Sequence, residues 1–129
     1  MTDGHPLASV ETYALVALGG FAGANARYGV DVAVGGLSAT LAVNVVGSAL
    51  LGFLLYEEAY LGAFSGRMRT AVGTGFLSSL TTYSTFAVQT YQAAPLVAAG
   101  NVAGNYALGI GGVLLGRHVA LALARSVEA

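Results

Sequence analysis

The sequence predicts an all-α integral membrane protein of four transmembrane helices, the third of them broken near its centre. Three observations predict it. Of the 129 residues, 56% are hydrophobic and only 9% charged, against about a quarter charged in a soluble domain. Four stretches approach the about 20 apolar residues that a bilayer-spanning helix needs. Inside the third of these lies a dense run of hydroxyls, "SSLTTYST". A soluble all-α protein of mean hydropathy +0.72 would have almost nothing polar to turn toward water.

The first span is placed at 13–34 and is interrupted by Arg27. The second, 37–56, is flanked by Glu57 and Glu58. Arg67 and Arg69 introduce the third, which stops at 94 before Pro95. The fourth runs over 96–115 and ends at Gly116, Arg117 and His118. This divides the chain into a tail at 1–12, a membrane domain at 13–116 and a tail at 117–129. The start, "MTDGHPLASVE", has no positive segment and does not read as a cleaved signal peptide.

An even number of spans puts both termini on one side. That side carries Arg67, Arg69, Arg117 and Arg125, and the other only Arg27. The bias favours cytoplasmic termini in the cell membrane. There is no Cys, which excludes disulfides and thiolate metal sites. A net charge of −1 without a basic run argues against nucleic acid as a partner. No nucleophile–base set is recognisable, so an enzyme is not expected. His5 and His118 both lie outside the spans.

Small residues recur four apart: Gly19 and Gly23, Ser48 and Gly52, Gly100 and Gly104, Gly112 and Gly116. Lipid gives no hydrophobic push between helices, so small faces that allow close approach drive their association. Four spans alone enclose little interior, and a dimer is the expected unit.

Polar residues inside a span are costly and are functional candidates. Arg27 lies one turn beyond Gly23; it either snorkels to the interface or offers positive charge to an anion. Thr40, Asn44 and Ser48 form one stripe on the second span. The Asn44 amide either bonds across to another helix or donates to an anion that has lost its water. Asn101 and Asn105 form a second stripe on the fourth span, beside Tyr106. In the third span, six of the eight residues at 78–85 carry an aliphatic hydroxyl. Hydroxyls this dense compete with the backbone for hydrogen bonds. A break at 78–82 is expected, tolerated at membrane depth only where it is buried in protein or lines a cavity. Such a break exposes carbonyls, and hard cations take oxygen ligands. Beyond it, Tyr83 and Phe86 carry ring edges of partial positive charge that suit an anion.

The quoted motifs resemble those of the Fluc (CrcB) family of fluoride channels. "GGFAGANARY" (19–28) is similar to the family's first-helix glycines followed by Arg and an aromatic residue. "TLAVNVVGSALLGF" (40–53) resembles its second-helix motif, and "GFLSSLTTYSTF" (75–86) resembles Gly-Phe-x-Gly-Gly-Leu-Thr-Thr-Phe-Ser-Thr-Phe. The likeness extends over 19–116. It implies passive fluoride export by an antiparallel, dual-topology dimer with two pores. It implies a sodium ion at the dimer centre, held by the carbonyls of Ser78 and Thr81. It assigns the fluoride pore to Asn44, Tyr83 and Phe86, with Thr40, Ser84 and Thr85 in the polar lining and Arg27 as the first-helix Arg. Asn101 and Asn105 fall on its fourth-helix polar track.

Three departures from the family pattern stand out, at four positions: Ser78-Ser79 replaces Gly-Gly, Tyr83 replaces Phe, and Gln89 replaces a common Glu. The Arg count of four against one suits a subunit of fixed orientation. A paralogous partner with one degenerate pore is therefore expected beside the homodimer alternative. Two other readings remain at this point. A small multidrug-resistance exporter has similar size but needs a membrane-embedded carboxylate, which the first span does not offer. A non-conducting scaffold has no need of in-membrane Asn and hydroxyl clusters.

Overall fold

The computed structural model describes residues 6–128, and all regular structure among them is helical. Helix α1 covers Pro6–Ala33 and α2 covers Gly36–Tyr60. The third segment begins as a short α3 (Gly66–Arg69), widens into a π-helix, π1 (Thr70–Leu77), and closes with one α-turn, α4 (Ser78–Leu80). After Thr81 and Thr82 it resumes as α5 (Tyr83–Gln92), and α6 covers Pro95–Glu128.

The helices overrun the predicted spans. Helix α2 continues four residues past 56, and α6 continues past Arg117 and His118, so the predicted 117–129 tail is helical to Glu128. Charges are expected where a span meets water, but residues such as Leu121, Ala122 and Leu123 are good helix formers and carry the helix on. Helix α1 likewise begins inside the predicted 1–12 tail; residues 1–5 of that tail lie outside the described residues.

Gly35 and Gly36 turn the chain between α1 and α2 at φ of 71° and 58°, which side chains rarely adopt. Gly62 (φ 60°) ends α2, its N–H bonding the Glu57 carbonyl at 2.8 Å. Pro95 opens α6, where its missing N–H costs no helical bond.

Helix α1 packs mainly on π1 and α4, and α2 mainly on α6. Val43, Leu54, Leu77 and Leu80 form the buried cluster that joins the two pairs. Two of the predicted glycine pairs make these contacts. A Cβ on Gly23 would run into the backbone of Phe76, and one on Gly116 would run into the backbone of Ala49 and Phe53. By contrast, Gly100 meets nothing within 4 Å, and Gly104 only touches the end of Leu41.

Apolar side chains otherwise point outward. Leu96 is 85% exposed, Tyr91 90% and Phe21 72%. Helices α2 and α6 are each long and apolar enough to cross a membrane.

Glu57, predicted as a flanking charge, turns inward and is 1% exposed. Its Oε1 accepts the Phe64 N–H (2.9 Å), and its Oε2 pairs with Arg69 Nη2 (3.2 Å). This ties the α2–α3 turn to the start of the third segment. Arg69→Ala leaves that buried carboxylate without its cation and should lower the thermal midpoint in detergent. Glu58→Ala should shift it little, because Glu58 is exposed and lies 3.7 Å from Arg69.

Candidate functional site

The site forms where helical backbone stops. Leu80 closes α4, Thr81 is extended at ψ 158°, and Thr82 is extended at φ −149°, ψ 119°. The hydroxyls of the run make local bonds. Ser78 Oγ donates to the carbonyls of Thr74 and, at 3.3 Å, of Gly75. Thr81 Oγ1 donates to the Leu77 carbonyl at 3.0 Å. Thr82 caps α5, its Oγ1 accepting the Thr85 N–H at 3.2 Å.

Asn44, on α2, grips the extended residue from the side. Its Oδ1 accepts the Thr82 N–H (2.9 Å), and its Nδ2 donates to the Thr82 carbonyl (3.2 Å) and to Asn105 Oδ1 (3.1 Å). Both amide hydrogens offered by sequence to an anion are thus engaged within the chain. The alternative of a bond across to another helix is the one seen here.

These bonds determine which carbonyls lose their helical partners. In a continuous helix the Thr82 N–H would close the Ser78 carbonyl; here it goes to Asn44. The Thr85 N–H would close the Thr81 carbonyl; here it goes to the Thr82 cap. Ser78 and Thr81 are therefore stripped of their usual N–H, as are Ser79 and Leu80, whose partners would be the Tyr83 and Ser84 N–H groups of the first turn of α5. Arg27 reaches this point from α1, with Nη1 3.5 Å from the Thr81 oxygen. Ser78 itself lies at φ −67°, ψ −23°, so Ser in place of Gly is under no backbone strain.

Two cavities flank Thr82, which lines both. The larger, about 430 Å³, is bounded by Asn44, Ser78, Thr81, Tyr83, Phe86 and Asn105, among others. Ser48, Leu51 and Tyr106 also border it. The smaller, about 220 Å³, is lined by Arg27, Asp31, Thr40 and Thr85. The Tyr83 and Phe86 rings lie 5.7 Å apart, and Tyr106 meets Phe86 edge-on at 6.5 Å.

Most sequence-predicted site residues are brought together here. Ser84 borders neither cavity; its hydroxyl lies 3.4 Å from Thr82 Oγ1. Asn101 also borders neither and instead bonds Thr90 and Asn105. Gln89 Oε1 is buried without a partner among the described residues. Sequence alone does not mark Thr90 or Tyr106 as a site residue. A Thr in a helix carries no pattern, and only the packing of α5 on α6 gives it a role.

The family model described as CrcB-like protein, Camphor Resistance (CrcB), matches residues 14–117. The chain belongs to this family. Fluoride-specific ion channel FluC 1 of Haloarcula marismortui is 56% identical over 119 residues, covering 92% of this chain and 93% of that one. Fluoride-specific ion channel FluC 2 of Halobacterium salinarum is 54% identical over 108 residues (83% and 84%). FluC 2 of Methanosarcina mazei is 44% identical over 109 residues (84% and 86%). As a CrcB-like protein, the chain is set apart from the multidrug exporters that its length alone allowed.

Proposed function

We propose that this CrcB-like chain is a subunit of a fluoride-specific ion channel that releases fluoride passively from the cell. The observation that carries the reading is the interruption at Thr81–Thr82, with an uncharged cavity against it that mixes Asn and hydroxyl groups with apolar side chains and is edged by aromatic rings. The names of the relatives point the same way.

In this reading four spans cross the cell membrane, and the third is broken at its centre. Fluoride is small and strongly hydrated, so its lost water must be replaced by weak donors spread along the path. Arg27 and Thr40 border the entry cavity. Thr82 stands between the cavities, held from the side of the larger one by Asn44, and the ring edges of Tyr83 and Phe86 follow. A fixed cation inside the narrow part would trap the anion, and Arg27, the nearest one, borders only the smaller cavity. Among the described residues, no cluster of three His, Cys or carboxylate side chains could hold a metal. The stripped carbonyls of Ser78 and Thr81 are suited to a hard cation and would hold the sodium ion. Bound there, sodium would supply structural positive charge at the subunit contact. The outward apolar faces suit lipid and a second subunit in the opposite orientation. Relatives named FluC 1 and FluC 2 favour a paralogous partner over a second copy.

The test is growth. Cells lacking their own fluoride exporter should regain fluoride resistance when they express this chain, alone or with its paralogue. Continued sensitivity under both conditions, with the protein present in the membrane, refutes the reading.

A further inference from the structure

A one-way chain of side-chain donors runs from the start of α5 back to its middle. Asn44 Nδ2 donates to Asn105 Oδ1 (3.1 Å). Asn105 Nδ2 donates to the carbonyl and Oδ1 of Asn101, each at 3.0 Å. Asn101 Nδ2 donates to Thr90 Oγ1 (2.8 Å), and the Thr90 hydroxyl donates to the Phe86 carbonyl (2.7 Å). The Thr82 N–H fixes the first amide, because only Asn44 Oδ1 can accept it. Every later orientation follows: each oxygen faces back along the chain, and each N–H or O–H faces onward.

The chain thus starts at Thr82, the α5 cap, and closes on Phe86 and Thr90 of the same helix, passing through α2 and α6. Between those ends stand the two aromatic residues that edge the larger cavity. Partly buried networks of this kind reinforce one another, and losing one member strands its neighbours.

We propose that Asn101, Asn105 and Thr90 are positioning residues: they hold α5, and with it Tyr83 and Phe86, against the ion path, and they lock Asn44 onto Thr82. Asn101 and Asn105 then act without donating to the anion themselves. The effect on conduction rests on the fluoride reading; the bracing of α5 does not.

Thr90 borders neither cavity, which makes it the place to test the brace. Thr90→Val keeps the shape and removes the hydroxyl, and Thr90→Ser keeps the hydroxyl. In the assembled channel, Thr90→Val should slow fluoride efflux from liposomes about tenfold, in line with one lost link in a buried network. Thr90→Ser should stay near the parent rate. Thr90→Val with Asn105→Leu should be no slower than the slower single variant, because both cut one chain. Parent-like efflux in Thr90→Val, or losses that multiply in the double variant, would overturn the proposal. Hydrogen–deuterium exchange decides it without conduction. Backbone amides at 82–86 should exchange faster in Thr90→Val, while those of α1 and Thr90→Ser stay as in the parent. Unchanged exchange at 82–86 overturns the brace even if the parent conducts. If the parent moves no fluoride but the exchange pattern appears, the brace stands and the fluoride reading fails.

Discussion

Asn44→Asp should abolish fluoride efflux. The exchange is isosteric, so the aspartate can still accept the Thr82 N–H. Its second oxygen then faces two acceptors, the Thr82 carbonyl and Asn105 Oδ1, which now receive donors at 3.2 and 3.1 Å. Each stranded acceptor costs about 1–3 kcal/mol. A carboxylate also places a fixed negative charge beside the anion path. At about 4 Å and an effective dielectric of about 20, that repulsion is about 4 kcal/mol. A barrier raised by this much slows passage about a thousandfold. The measurement is initial efflux rate in a fluoride-electrode assay on purified, correctly assembled protein. A rate within twofold or so of the parent would remove Asn44 from the path.

Gly23→Ala should loosen the fold that holds the interruption in place. The added methyl would meet the Phe76 carbonyl carbon at 3.0 Å and the Leu80 nitrogen at 3.1 Å, with the Phe76 oxygen nearer still. All three are backbone atoms and cannot rotate aside. Helix α1 must therefore retreat from π1 and α4, at a cost of about 1–3 kcal/mol. Thermal unfolding in detergent should show a lowered midpoint, and the displaced Ser78 and Thr81 carbonyls should slow efflux as well. Gly111→Ala is the control, because nothing lies within 4 Å of that site. There the better helix propensity of Ala, about 1 kcal/mol, should leave the midpoint level or raised. An unchanged midpoint in Gly23→Ala would contradict the close α1–π1 contact.

Composition and apolar run length made the four helical segments legible, because both follow from burying surface in lipid. Their ends were less legible, because charge is expected at the water boundary while Leu and Ala continue the helix beyond it. The close-packed role of Gly23 and Gly116 was visible as spacing. Spacing could not tell those pairs from Gly100, which faces open space in the subunit. The polar residues of the site were visible as misplaced polarity, and the motif likeness linked them to one family. Their partners were not. Asn44 was readable as a donor, but its acceptors come from positions 82 and 105, far away in sequence. Glu57 looked like a flanking charge because its inward turn depends on the Gly62 bend and on Arg69 twelve residues on. The π-helical widening of 70–77 left no sequence signal beyond Gly73 and Gly75.

The central claim is tested most directly by anion efflux from liposomes loaded with equal fluoride and chloride. The chain would be reconstituted alone and together with its co-expressed paralogue. Fluoride should leave rapidly in at least one of the two preparations, down its gradient and without an applied proton gradient, while chloride stays inside. Fluoride retained in both preparations, or chloride released as fast as fluoride, would contradict that claim.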